Sequence, residues 1–371
     1  MNNVGKMSHF ERIFNSIVDE PVDRLPAFPM VCGLSRRLVG ATHREYSTIS
    51  KVAANSLLAA QKEFDMDVIP LLIDLSVIAG DFGAKVRFPE ENTPMVEEFL
   101  IRSVDDYEKL EAPEIPGARM KHQIETTKLI MEKVAGQVPF SVLVEGPLLV
   151  LTQLAGVERV LKDVKREPKA VDTALKVITE AIVEYLDCYP DGGGAGAICM
   201  DYLWGNRTIM SDDDYRNLES KYEPIIRRKI LEKGYMYSIH NCGESPMLDI
   251  QIREYQCPLY SLATYPDRGE NRSISKIVKE YSDDTIIVGS LNTQLFTFGT
   301  LEVVKKATRN FMEEVAKALI ESGHKSKFVI STGCEISPST ETKLENVRAM
   351  TETINKHGPK IQEKIKGESR I

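Results

Sequence analysis

The chain is poor in the features that mark several common protein classes. Only six cysteines, at 32, 188, 199, 242, 257 and 334, are spread over 371 residues, with a single tryptophan. Sparse, unclustered cysteines argue against a disulfide framework and make a reducing cytoplasm the default setting. No run approaches the ~18 uninterrupted apolar residues that a membrane helix needs. The opening stretch, Met1 to Phe14, lacks the apolar core of a secretory signal. No Lys/Arg block stands out and the formal net charge is −8, so neither nucleic acid nor an anionic membrane is an expected partner. No Gly-x-Gly-x-x-Gly turn follows the first apolar run, which disfavours a dinucleotide-binding fold. The glycine-rich stretch Asp191–Gly196 leads into an apolar run rather than opening a helix. It reads as a turn, not a phosphate cradle.

What is present is a repeated alternation. Hydrophobic residues make up 42% of the chain, enough for a large core. Eight short apolar runs recur: Leu25–Met30, Met66–Ile73, Phe140–Gly146, Ala197–Leu203, Met236–Gly243, Leu259–Tyr265, Thr285–Ser290 and Lys327–Thr332. They are continuously apolar rather than alternating, as strands buried on both faces are. The intervals carry helical patterns. In Thr300–Ser322, Val303, Ala307, Phe311, Val315 and Leu319 recur at four-residue steps, with Gly323 as a C-terminal cap. Eight near-equal strand–helix units predict an α/β fold, a (β/α)8 TIM barrel, as one domain over residues 1–371. Residues 1–24 read as a helical preface, Ala84–Glu114 as a loop excursion, and about Pro359–Ile371 as a frayed charged tail.

The chemistry gathers at strand ends. The fifth run closes with His240-Asn-Cys242. Residues two apart on a strand point to the same side, so His240 and Cys242 face one point. The eighth run closes with Gly-Cys334-Glu, placing Cys334 on the same rim, where barrel active sites lie. One imidazole and two thiolates are a soft N/S set suited to zinc, with a fourth position left open for catalysis. The plainer alternative is a buried histidine near ordinary core cysteines. Cys32, Cys188, Cys199 and Cys257 lack such company and are expected in core or incidental roles. Glu145 and Asp201 end strands at the rim and are the candidate catalytic carboxylates. Asp74, Asn292, Tyr202, Trp204 and Tyr265 are candidate substrate contacts.

These motifs, taken together, resemble the uroporphyrinogen decarboxylase superfamily over nearly the whole chain. The resemblance rests on Pro21-Val-Asp-Arg-Leu-Pro26, Glu145-Gly-Pro147, His240-Asn-Cys-Gly243, Val288-Gly-Ser-Leu-Asn292 with Gly299-Thr300, and Thr332-Gly-Cys-Glu335 with Pro338 and Glu345-Asn346. Within it the chain looks like the cobalamin-dependent methyltransferase branch, which implies Zn2+ on His240, Cys242 and Cys334. It also implies a corrinoid carried by a partner protein and a small methylated substrate; the sequence itself is compatible with a homodimer and does not fix the oligomeric state. The decarboxylase branch carries an arginine-rich motif after the first strand; here that place reads Pro29-Met-Val-Cys-Gly-Leu-Ser-Arg-Arg37, and porphyrin decarboxylation ranks below methyl transfer. The motif allows two directions. Zinc activates the heteroatom of a methylated substrate, with an aryl methyl ether as the first expectation, or it activates a thiol of the coenzyme M type.

Overall fold

The computed structural model describes residues 6–265 and 273–368. Ten strands lie among them: β1 (Ala27–Phe28), β2 (Ile69–Leu71), β3 (Lys85–Arg87), β4 (Met95–Glu98), β5 (Phe140–Glu145), β6 (Gly196–Asp201), β7 (Met236–Asn241), β8 (Leu259–Leu262), β9 (Ile286–Leu291) and β10 (Phe328–Thr332). All but β3 and β4 form one eight-stranded sheet, in the order β1-β10-β9-β8-β7-β6-β5-β2. Every neighbouring pair in it is parallel. Helices join successive strands, and the sheet curls into a nearly closed (β/α)8 barrel, as the alternation predicts.

The seam between β1 and β2 is closed by one residue. Asp67 donates its backbone N–H to Ala27 O at 2.8 Å and accepts Ala27 N–H on Oδ2 at 2.7 Å. Its fully buried carboxylate also takes Arg12 at 2.5 Å, Arg24 at 2.7 Å and His9 at 2.8 Å. Residues of the N-terminal helix His9–Ile17 thus clamp the seam from below. Ser8 starts that helix with a reciprocal capping pair to Glu11.

Strand alternation divides the apolar residues. Ile287, Phe328 and Ile330 face the helices, while Ile286, Val288 and Val329 join Ile13, Phe28, Met30 and Val68 in a separate cluster inside the barrel. Along the helix Leu301–Glu321, Phe311, Val315 and Leu319 are buried as expected, but Val303 is 47% exposed and Val304 is buried in its place. Four-residue steps overrun the 3.6-residue turn by about 40° each, so the expected stripe drifts off the core face at its far end.

Two expectations are corrected. The stretch 84–114 is not a bare loop: β3 and β4 pair as an antiparallel hairpin, and a short helix, Val104–Glu108, follows. The tail is not frayed at Pro359. The last helix runs Leu344–Glu368, through Pro359, because Gln362 and Ile365 are buried, Gln362 donates to Lys325 O, and Lys366 reaches Val22 O. No described helix is long and apolar enough to cross a membrane.

Candidate metal centre

β7 and β10 deliver three ligand atoms to one place. A side-chain donor atom from each of His240, Cys242 and Cys334 lies within 4.8 Å of the other two, at the C-terminal rim. The intervening residue makes this possible. Asn241 faces away, donating to Gly205 O and accepting Gly243 N–H on its Oδ1, which fixes the strand end from behind. Tyr265 donates its hydroxyl to Cys242 O at 2.6 Å. On β10, Thr332 donates to Cys334 O at 2.7 Å. A Cβ on Gly333 would stand 2.9 Å from Ala263 Cβ, so only glycine lets this turn pack against the segment after β8.

His240 shows how a candidate ligand is aimed. Its Nδ1 pairs with Ser261 Oγ at 3.0 Å, in register across β7 and β8, which leaves Nε2 for the cluster. Burial opposes its charge, but the Cys334 sulfur and Asp201 carboxylate outweigh that and raise its pKa. Between the two sulfurs, the hydrogen bond they share holds Cys334 well below the usual thiol range and Cys242 well above it. A tetrahedral site with Zn–S near 2.3 Å and Zn–N near 2.0–2.1 Å needs donors of this type at mutual separations of this size, so the trio fits such an ion. Ser261→Ala is expected to weaken metal binding by roughly 10–100-fold, read by competition with a chromophoric chelator. Unchanged affinity would show that Ser261 does not orient the ring.

In front of the trio lies a cavity of about 290 Å3. Asp201 and Asp74 line it, as does Glu335, the residue after Cys334. Burial pushes Asp201 up to about 6 and Glu335 up to about 8. Cys32 and Cys199, expected in core or incidental roles, also line the cavity, with Met30, Leu143, Thr93 of the loop between β3 and β4, and Ser261. Burial raises both thiols, Cys199 to about 12, so they stay neutral walls.

Several other expected contacts lie elsewhere. Tyr202 follows inward-facing Asp201 and therefore points out of the barrel, with its ring 5.9 Å from that of Tyr255. Trp204 donates its indole N–H to Thr152 Oγ1 at 3.0 Å and is outside the cavity lining. Asn292 is exposed and caps the next turn by accepting Gln294 N–H. Glu145 ends β5 in register with Asp201 but is 1% exposed and not among the lining residues; burial acts most on its carboxyl, followed by its own backbone, Asp74, Ile78 and Arg119.

Glu145 and Glu219 carry a pH prediction. Each is 1% exposed, each leaves one carboxyl oxygen without a hydrogen-bond partner, and burial raises each to about 8. A carboxyl whose pKa is raised on folding contributes stability that is full below its unfolded value near 4.3 and fades as pH rises toward about 8. The free energy of unfolding, read from urea melts, is expected to fall between pH 5 and 8, and Glu219→Gln to flatten that fall by on the order of 1–3 kcal/mol. An unaltered slope in Glu219→Gln would mean that Glu219 is ionised in the fold.

Residues 8–357 match the family model described as uroporphyrinogen decarboxylase (URO-D). The chain is 23% identical over 350 residues to the methylcobamide:CoM methyltransferase MtaA of Methanosarcina barkeri, covering 91% of this chain and 95% of that protein. It is 21% identical over 350 residues to the methylated-thiol–coenzyme M methyltransferase of Methanosarcina mazei, covering 93% and 89%. Among solved structures, a methyltransferase from Methanosarcina mazei superposes with a TM-score of 0.77 at 21% identity, over 94% of this chain and 99% of that one.

Proposed function

The chain belongs to the uroporphyrinogen decarboxylase family, and from that premise we propose that it is a zinc-dependent methyltransferase that moves a methyl group between a thiol and a corrinoid. The observation that carries this reading is the convergence of His240, Cys242 and Cys334 at the cavity floor. A cofactor-free decarboxylation has no use for such a trio. The relatives matched over nearly their full length are named for methyl transfer involving coenzyme M, which puts the thiol ahead of the aryl methyl ether as the partner at the metal.

A zinc ion on these ligands would supply Lewis-acid activation of a sulfur or oxygen atom, lowering the pKa of a thiol into the neutral range. The protein's own residues supply the rest. Ser261 and Tyr265 hold the ligand-bearing strand end in place. The apolar wall of Met30, Leu143 and Leu203 keeps water from the reacting sulfur. Asp201, paired in register with His240, stands where a proton can be held beside the ligands. The apolar lining residues Leu72, Leu75 and Leu259 enclose the substrate tail.

The corrinoid belongs to a separate protein in this reading, and the chain carries no Asp-x-His-x-x-Gly cobalamin-binding motif of its own. The test is spectroscopic. Zinc-loaded protein with methylcobalamin and a small thiol is expected to consume the cobalt–carbon chromophore and form the methyl thioether. Thioether formation from a methyl donor with no corrinoid present would overturn the proposal.

A further inference from the structure

The walls of the cavity carry information about charge that the metal ligands do not. Three carboxyl-bearing residues, Asp74, Asp201 and Glu335, share the lining with Met30, Leu72 and Leu75. No lysine or arginine stands among the described lining residues. The arginines on neighbouring helices make their ion pairs and most of their hydrogen bonds within the protein, with Nε of Arg36 and of Arg119 left without a partner. Arg119 holds Asp74 Oδ2 and lies 3.3 Å from Ser76 Oγ. Arg36, itself buried, holds Glu91 at 2.7 Å, and Arg37 donates to the carbonyls of Ser339 and Thr342.

An anionic group brought into this space would lose its hydration beside the Asp74 and Asp201 carboxyls, with no cationic Lys or Arg side chain among the described lining residues to replace it. An unpaired buried anion is costly, so such a wall disfavours a charged tail against an apolar one. Resting on the thiol reading above, we propose that the molecule meeting the metal centre is an uncharged thiol with an apolar tail, and that the cavity selects against anionic thiols. This sets the chain apart in substrate class from relatives named for coenzyme M, whose thiol bears a sulfonate. Asp74 is the specificity-determining residue: it neutralises Arg119 and presents a carboxylate to the tail.

Calorimetric titration of the zinc-loaded full chain with propane-1-thiol and with 2-sulfanylethanesulfonate tests the proposal without recourse to turnover. Propane-1-thiol is expected to bind at least tenfold more tightly. Asp74→Asn removes the carboxylate and frees Arg119, so sulfonate-thiol affinity is expected to rise tenfold or more while propane-1-thiol changes less than threefold. Leu75→Lys, which places an ammonium on the same wall without touching the Asp74–Arg119 pair, is expected to shift the preference in the same direction. Wild-type protein that binds the sulfonate thiol as tightly as the uncharged one would overturn this inference and leave the thiol reading standing. Metal-loaded protein that binds neither thiol would overturn both.

Discussion

Cys334→Ala is expected to lose most of its bound zinc and to slow methyl transfer by roughly 100-fold or more. The reason lies in the donor count. The trio offers one imidazole and two sulfurs, and removing one sulfur leaves two protein donors, too few to hold a catalytic ion against water. The effect is local. Cys334 is only partly buried, at the end of β10, and its side chain adds little to the core. A circular-dichroism melt close to wild type, with metal content near zero, is the expected pair of results. Cys32→Ala is the control. Cys32 lines the same cavity but is not one of the three ligands, so its replacement should leave one zinc per chain. Equal zinc in wild type, Cys242→Ala and Cys334→Ala would remove the metal centre from the account.

A second large effect is expected far from the chemistry. Asp67→Ala should destabilise the fold by about 3–5 kcal/mol, because it leaves buried guanidinium groups without their counter-charge. Arg12 retains Asp23 at 2.7 Å, but the contacts left to Arg24 are Leu25 O at 3.1 Å and Asp65 at the edge of ion-pair range, 4.0 Å. The change also removes the acceptor for Ala27 N–H and so loosens the β1–β2 seam. Met30 and Cys32, just beyond β1, line the cavity, so an opened seam should weaken ligand binding as well as stability. The pH dependence follows from the same contacts. Burial would raise the Asp67 carboxyl, but Arg24, His9 and Arg12 hold it well below the usual carboxylate range. A pKa depressed on folding contributes stability above the unfolded value near 3.9 and loses it only as pH falls toward the folded value. The seam should therefore hold through mild acid in wild type. Urea melts at pH 7 and pH 4 on wild type and Asp67→Ala check this. A difference between the two proteins under 1 kcal/mol would mean that the ion cluster does not hold the barrel closed.

The barrel was legible because parallel strands covered on both faces leave continuous apolar runs, and all eight runs became strands of the sheet. The convergence of His240 and Cys242 was legible because the two-residue strand period makes them neighbours in space whatever the rest of the chain does. That period was also the signal left unused. Asp201 facing inward sends Tyr202 outward and brings Cys199 in, and the register that aligns His240 with Ser261 supplies the hydroxyl on Nδ1. Trp204 and Asn292 lie past their strand ends, where local turns decide direction and no period applies. The Arg119–Asp74 pair joins residues 45 apart, and Thr93 reaches the cavity from a hairpin that composition alone presents as a polar loop. The tail departs from the sequence expectation: Pro359 and its charges suggest fraying, whereas buried Gln362 and Ile365 keep the helix docked.

Zinc-edge X-ray absorption on the protein, before and after addition of a thiol, addresses the central claim most directly. One zinc per chain with one nitrogen and two sulfur scatterers from the protein is expected at first, and a third sulfur once the thiol is present. Zinc absent from wild-type protein, or a first shell that the thiol leaves unchanged, would contradict the claim that His240, Cys242 and Cys334 form the site of methyl transfer.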